Sequence, residues 1–279
     1  MPRRHFHTVL NNLHATGVPL AVTQAVFNNN KPEPVYSCIP QANYSTGSYL
    51  FYKENLWNLA ARMTDAKKLI FIDADIVFND TSWFERTVEL LDTYDIVQPF
   101  VNAVWLDETG AASAIKNCSA YAIKTEKVPN LTRYHPGFAW GMTREAFDAI
   151  GGWDDRMCTG NTDGAFAMCF RDTPGMHGLI NWFIENQEPS VQSYQFKDYR
   201  RNILSHDFKV GYLKNSSVVH LWHGNPLDRQ YISRKDLFKR SDDLTYPVEY
   251  RKDGLLVWQD EQSMNLGPKR YFEDKRDDG

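Results

Sequence analysis

Long apolar runs and clustered cysteines are missing from this 279-residue chain. No apolar run approaches the ~20 residues that a membrane-spanning helix requires. The basic N-terminus "MPRRHFHTVLNNLHATG" has no apolar stretch typical of a signal peptide. The four cysteines show no CxxC spacing, which predicts unpaired thiols in a reducing compartment. We therefore expect a cytoplasmic protein without a membrane span.

Sustained basic stretches, internal repeats and low-complexity linkers are missing as well. The net charge is −4, so no surface for nucleic acid is indicated. Aromatic residues are abundant at 14%, and such side chains line ligand pockets or simply fill cores. The length suits one large α/β domain or two small ones, and no convincing boundary divides the chain.

Apolar periodicity and turn signals predict alternating helices and strands. Helices are expected over residues 5–17, 47–63 and 80–94, from about 143, and from 162. Strands are expected over residues 19–27, 67–78, 95–106 and 216–224, with a short one before 143, whereas residues 107–132 are mixed and polar. The last segment, "KRYFEDKRDDG", predicts a solvated tail. The alternation implies an α/β layered fold.

Two carboxylates, Asp73 and Asp75, interrupt the apolar run "KKLIFIDADIVFND" at residues 67–80. Asp is depleted in strands, and an ionised carboxylate among apolar residues is costly unless it is paired or binds a metal. Positions i and i+2 of a strand share a face, so both carboxylates would offer oxygen ligands to a hard cation such as Mg2+ or Mn2+. The alternative is a strand that ends in a polar turn.

Two further clusters carry groups suited to catalysis or metal binding. "GGWDDRMCTGNTDGAF" contains Asp154, Asp155 and Asp163 near predicted helix ends, where capping is the default role of Asp. "VVHLWHG" contains His220 and His223, which would face opposite sides of a regular strand. This spacing argues against a single metal ion shared by the two histidines.

The order of the clusters is more informative than any one of them. A helix with Lys53, Asn55 and Asn58 in "YKENLWN" precedes the DxD strand, although such polar faces usually only contact solvent. "PGFAWGMTREAFDAIGGWDDRMCTGNTDGAF" and "LWHGNPLDRQY" follow it. Over roughly residues 5–235, this ordered set resembles the GT-A glycosyltransferases of the broad family-2 group. It is also similar to β-1,4-galactosyltransferases and chondroitin polymerases.

The resemblance implies a GT-A fold, with a mixed central sheet flanked by helices, over residues 1–245 and a charged C-terminal extension over 246–279. It also implies a metal-dependent enzyme that moves a sugar from a nucleotide-diphospho-sugar, UDP-linked, to a hydroxyl of a glycan or other acceptor, with inversion. Mn2+ or Mg2+ would neutralise the charge that develops on the diphosphate.

The resemblance also assigns metal and donor residues. Asp75 matches the second Asp of the DxD motif, which binds the metal. Asp73 matches the first, which contacts the donor ribose or the metal through water. His223 matches a late metal ligand, with His220 as the fallback, and the loop after His223 is expected to cover the donor. The residues assigned to the donor are Lys53, Asn58, Asp73, Trp140, Asp154 and His220.

Asp163 matches the general base, which would take the proton from the acceptor hydroxyl. Asp155 is the second catalytic candidate. The sequence departs from the family here, since Thr162 replaces the usual Glu and "GAF" follows where a second acidic residue is expected.

The family's first strand, whose loop holds the nucleotide base, also has no counterpart in the chain. We expect either a start upstream or a form without that strand, which would leave backbone groups of its neighbour unpaired.

Two other functions fit parts of the sequence. "DADIV" matches the Asp-x-Asp-x-Val motif of haloacid-dehalogenase-like phosphatases, with Asp73 as nucleophile and Asp75 as acid/base. That class normally carries the motif near the N-terminus and needs a later Gly-Asp-x-x-x-Asp segment, for which there is no good match. The other alternative is a catalytically decayed glycan-binding scaffold, which the missing strand and Thr162 favour.

Overall fold

The structure is a computed structural model that describes residues 3–28, 30–125, 133–224 and 236–274. The described helices are α1 Arg3–Ala15, α2 Lys53–Ala61, α3 Trp83–Leu90, α4 Ser119–Thr125, α5 Arg144–Ala149, α6 Thr162–Ala167, α7 Pro174–Asn186, α8 Tyr194–Ser205, α9 Glu261–Met264 and α10 Leu266–Asp274. None of them is long and apolar enough to span a membrane.

The described strands are β1 Val22–Phe27, β2 Gln41–Thr46, β3 Lys68–Ile72, β4 Ile76–Phe78, β5 Ile96–Gln98, β6 Asn102–Leu106, β7 Ala112–Cys118, β8 Tyr134–His135, β9 Ala139–Thr143, β10 Val210–Tyr212, β11 Ser217–His220, β12 Val248–Tyr250 and β13 Leu256–Trp258. Helices and strands alternate over much of the chain, so the α/β class is confirmed.

The described strands form two larger mixed sheets and two small ones. The four-stranded sheet has the order β10-β5-β9-β3, and the five-stranded sheet has the order β4-β11-β6-β7-β8. β1 and β2 form a separate parallel pair, and β12 and β13 form an antiparallel pair. Because β3 and β4 belong to different sheets, the Asp73–Asp75 turn is where the chain crosses from one sheet to the other.

Several sequence expectations need correction. The single strand expected over residues 95–106 is two strands, since Pro99 follows β5 and cannot donate a ladder hydrogen bond. The polar segment 107–132 contains β7 and α4 within its described part. The expected strands at 19–27 and 216–224 and helices at 5–17 and 80–94 are confirmed, with shorter bounds.

Two hydrophobic clusters hold the fold together. The larger cluster surrounds β9 and its neighbouring strands, and it includes Phe71, Ile96 and Trp140. The smaller one joins the segment before α2 to the C-terminal elements, with Leu50 packed among Leu255 and Trp258. Apolar burial of this kind is the main favourable term in folding.

The solvated tail expected from residue 269 is wrong for its described part. Tyr271 lies in α10 and is only 1% exposed, because Phe51 and Phe272 pack against its ring. The division of the chain at residue 245 stays a prediction, as does the missing first strand.

All four cysteines are free, as expected from their spacing. Cys38 is exposed, whereas Cys118, Cys158 and Cys169 are buried.

Candidate functional site

Four strand ends converge at the crossing between the two larger sheets. The Asp73 backbone N–H donates to Phe138 O at 2.8 Å, which places Asp73 beside the start of β9. His220, the last residue of β11, pairs with Ile76, and the Leu221 N–H donates to Asp75 O at 2.9 Å. Backbone pairing therefore fixes Asp75 next to the end of β11.

Asp75, His220 and His223 form the first group at this crossing. Asp75 Oδ2 lies 3.1 Å from His223 Nε2 and 3.6 Å from His220 Nε2. The two Nε2 atoms are 3.1 Å apart. Each residue thus offers one ligand atom, and the three atoms lie within 4.8 Å of one another.

The expectation that His220 and His223 face opposite sides of a strand is wrong. It assumed a regular strand through both residues, but β11 ends at His220 and the chain turns before His223. The turn brings both imidazoles to the same carboxylate.

The three side chains fit a divalent cation. Metal–ligand bonds of about 2.0–2.2 Å place neighbouring ligand atoms roughly 3–3.5 Å apart, close to the distances among these atoms. Asp75 Oδ1 is buried and has no hydrogen-bond partner among the described residues. Imidazole favours first-row transition ions, whereas Mg2+ favours oxygen ligands alone, so the donor set suits a transition ion better than Mg2+.

The histidines also determine the charge of Asp75. Burial alone would raise the pKa of this carboxyl, but hydrogen bonds and charge interactions with His220 and His223 hold it well below its usual value. Asp75 is therefore an ionised carboxylate at neutral pH, which is the form that binds metals.

Lys53, at the start of α2, organises the second group. Its Nζ lies 3.1 Å from Asp163 Oδ1, 3.4 Å from Asp73 Oδ1 and 3.6 Å from Glu54 Oε1. The ammonium also lies 4.9 Å from the centre of the Trp57 ring. One cation thus faces three carboxyl groups.

This imbalance of charge shifts the pKa of each group. Burial raises the pKa of Asp73 to about 8 and that of Glu54 to about 7, against the opposing effect of Lys53. Burial would also raise the pKa of Asp163, but Lys53 lowers it below its usual value. Asp163 is consequently the ionised partner of Lys53.

The HPGF turn, residues 135–138, closes the site against Asp163. A β-carbon on Gly137 would stand 2.1 Å from Asp163 Oδ2, so only glycine permits this approach. Gln98 Nε2 donates to Pro136 O and Gly137 O at 3.3 Å each, which anchors the turn to β5. Asp163 is therefore held by Lys53 on one oxygen and faces the turn with the other.

Phe138 in this turn has an unfavourable backbone conformation. Its φ of +77° lies in the left-handed region, which costs on the order of 1–3 kcal/mol for a residue other than glycine. Its ring stacks on His220 with centroids 5.1 Å apart and contacts His135 at 3.9 Å. Its carbonyl accepts from Asp73, so one strained residue contacts both groups of the site.

Asn58 and Asp155 lie in a separate buried network. Asp155 Oδ2 accepts from Asn55 at 2.8 Å and from Asn58 at 3.1 Å, and Asp155 Oδ1 accepts from Tyr250 Oη at 2.5 Å. Asn58 also donates to Trp153 O and accepts from Trp153 N, both at 2.9 Å. These contacts tie α2 to the Gly-Gly-Trp turn and to β12, and none of them involves Lys53 or Asp163.

Asp154 and Trp140 also lie apart from the convergent groups. Asp154 is 9% exposed, and burial together with Asp155 raises its pKa to about 6. Trp140 has no exposed surface with which to contact a donor, which differs from its predicted role. Its Nε1 instead donates to Pro136 O at 2.8 Å and so supports the HPGF turn.

The structure therefore brings Lys53, Asp73, Asp75, Asp163, His220 and His223 together. Sequence reasoning missed Glu54, His135 and Phe138. A Pro-Gly pair directly before a short strand marks a turn, and that signal could have drawn attention to residues 135–138. The loop expected to cover the donor falls mainly on residues 225–235, outside the described residues.

A groove of about 390 Å³ adjoins the first group. His5 of α1 lines it and places its ring edge-on to His223, with centroids 5.6 Å apart. Arg4, Asp107, Glu108 and Trp222 line other parts of the groove.

Comparisons with known proteins leave the family open. No protein-family model matches the chain, and no curated protein matches it. The crystal structure of HddC from Yersinia pseudotuberculosis aligns at 11% identity with a TM-score of 0.29, over 50% of this chain and 62% of HddC. The chain thus spans less than two thirds of that protein, and a TM-score this low does not establish a shared fold.

Proposed function

We propose that this protein is a GT-A-type glycosyltransferase that uses a divalent cation and moves a sugar from a nucleotide-diphospho-sugar to an acceptor hydroxyl. The observation that carries the proposal is the convergence of Asp75, His220 and His223 directly beside Lys53, Asp73 and Asp163. A cation site that adjoins an ionised carboxylate suits an inverting transfer of sugar from a diphosphate.

Asp75, His220 and His223 would hold the cation, and Mn2+ suits this mixed set of nitrogen and oxygen ligands. When bound, such an ion neutralises negative charge on the diphosphate leaving group. Asp73, two residues from Asp75, faces the same crossing and has Lys53 as its cationic partner at 3.4 Å. Lys53 would therefore offset the negative charge of Asp163 beside the diphosphate.

Asp163 is suited to accept the proton of the acceptor hydroxyl. It is ionised, its Oδ1 is engaged by Lys53, and its side chain is 21% exposed, so a substrate can reach it. Direct attack by the acceptor oxygen on the anomeric carbon, opposite the leaving diphosphate, inverts the configuration of the sugar. The acceptor proton would go to Asp163 and the electron pair of the broken bond to the diphosphate.

A donor screen by thermal shift tests the proposal. The parent protein is heated with UDP-glucose, UDP-galactose, UDP-N-acetylglucosamine and UDP-glucuronic acid, each with and without Mn2+. A donor that binds the native state alone raises the melting temperature. We expect at least one of these donors to do so only with Mn2+, and the stabilised donor to be hydrolysed slowly when no acceptor is present.

The same screen, extended by an assay of phosphate release from a simple phosphomonoester, separates the alternatives. A phosphatase that uses Asp73 and Asp75 would release phosphate from simple phosphomonoesters without any need for the nucleotide. A glycan-binding scaffold would neither bind nor cleave the donor. Either result would overturn the proposed function.

A further inference from the structure

His135, in the HPGF turn, carries a polar atom that no described residue satisfies. Its Nε2 is buried and has no hydrogen-bond partner among the described residues. Burial of an unpaired polar atom costs roughly 1–3 kcal/mol, so such atoms in folded proteins need an explanation. Burial also lowers the pKa of His135 to about 3, so the ring is neutral at pH 7.

The ring of His135 is fixed on both sides. Phe138 contacts it at a centroid distance of 3.9 Å, and Trp105 meets it edge-on at 4.8 Å. These aromatic contacts restrict the plane of the imidazole. A preset orientation is characteristic of groups that bind a ligand.

Nε2 lies near Asp163. The position that a β-carbon on Gly137 would occupy lies 3.3 Å from His135 Nε2 and 2.1 Å from Asp163 Oδ2. The two polar atoms therefore lie close to each other beside Gly137, which has no side chain to separate them. Asp163 Oδ1 is held by Lys53, and Oδ2 is the oxygen that faces Gly137.

We propose that His135 Nε2 and Asp163 Oδ2 together bind one hydroxyl group of a sugar substrate. A hydroxyl group can donate its proton to the carboxylate while its oxygen accepts from the Nε2–H of a neutral imidazole. This pairing satisfies both atoms, which no apolar group could do. The inference rests on the proposed function, and the hydroxyl belongs either to the donor sugar or to the acceptor.

The test uses two variants of His135. His135→Phe keeps the flat ring and its contacts with Phe138 and Trp105 but removes the nitrogen, whereas His135→Gln offers an amide nitrogen near the position of Nε2. His206→Phe, at an exposed histidine, is the matched control. The measurements are the dissociation constants of UDP and of the best UDP-sugar in Mn2+, and the KM and kcat for the acceptor.

We expect His135→Phe to weaken sugar binding at least ten-fold without changing the affinity for UDP alone. A higher dissociation constant for the UDP-sugar assigns the hydroxyl to the donor, and a higher acceptor KM assigns it to the acceptor. His135→Gln should recover much of the loss, which a purely structural role of the ring would not allow.

Three results would overturn the proposal. In the first, His135→Phe leaves the dissociation constant of the UDP-sugar and the acceptor KM at the parent values; in the second, His135→Gln binds no better than His135→Phe. In the third, His135→Phe weakens the binding of UDP alone as much as that of the UDP-sugar. A parent protein that neither binds nor cleaves any UDP-sugar would instead refute the proposed function, and this inference with it. An active parent with an unaffected His135→Phe variant refutes the inference alone.

Discussion

His220 and His223 bring their Nε2 atoms to 3.1 Å from each other, although only His220 belongs to a strand. Both atoms face Asp75 Oδ2. Two imidazole nitrogens this close cannot both carry a proton toward each other, so at most one of them is a donor in this contact. A cation bound between Asp75, His220 and His223 would accept a lone pair from each of these three side chains.

The first prediction compares the two histidines. His223→Ala should weaken Mn2+ binding more than His220→Ala, because His223 Nε2 lies 3.1 Å from Asp75 Oδ2 and His220 Nε2 lies 3.6 Å from it. Both losses should exceed the roughly 10–100-fold effect typical of groups that only support a ligand. Calorimetric titration with Mn2+ measures them, with His206→Ala as the control. A larger effect from His220→Ala would reverse the assignment.

The second prediction concerns the general base. Asp163→Asn should lower kcat for sugar transfer by about 10²–10⁴-fold while the affinities for UDP and Mn2+ stay near the parent values. Asn keeps the size of the side chain and its place next to Lys53 and Gly137. Transfer at the parent rate would mean that another residue is the general base. A product that retains the anomeric configuration would mean that the reaction needs no general base.

The third prediction separates a structural from a donor-binding role of Asn58. Asn58→Ala should lower the free energy of unfolding by about 2–4 kcal/mol, because the backbone groups of Trp153 and one oxygen of Asp155 lose buried partners. Urea denaturation measures this, and Asn181→Ala on an exposed helix face is the control. Parent-like stability together with weaker donor binding would favour the role that the sequence predicted.

The fourth prediction is a pH dependence caused by Asp154. Burial raises the pKa of Asp154 from 3.8 to about 6 in the folded protein, so its favourable contribution is complete below about pH 3.8 and is lost as the pH rises through about 6. Asp154→Asn should therefore gain up to about 3 kcal/mol of unfolding free energy relative to the parent between pH 4 and pH 7. A difference between the two proteins that is constant with pH would refute the shift.

The sequence predicted the alternation of helices and strands because that pattern depends on local periodicity. The sequence also identified Asp73 and Asp75 as candidate site residues, because two carboxylates within an apolar run are costly to bury. The two-sheet arrangement could not be predicted in the same way. Whether β3 continues into β4 or the chain crosses to another sheet depends on partners such as β11, which is far away in the sequence.

The candidate site shows the same limit. The relation of His223 to Asp75 depends on where β11 ends, and strand ends are set by tertiary pairing rather than by propensity. His135 and Phe138 were missed because a histidine and a phenylalanine near a turn carry no distinctive pattern. Their importance comes from Gly137, whose missing side chain lets Asp163 approach from a helix that follows 25 residues later.

The most direct test of the account is a titration of UDP into the parent protein and into Asp75→Ala, each with and without Mn2+. The account predicts UDP binding by the parent only with Mn2+, no such binding by Asp75→Ala, and parent-like behaviour of Asp65→Ala, a change of the same kind at an exposed position. Circular dichroism should show that Asp75→Ala remains folded. Undiminished Mn2+-dependent binding of UDP by Asp75→Ala, or no effect of Mn2+ on the parent, would contradict the claim that Asp75, His220 and His223 form a metal site for a nucleotide donor.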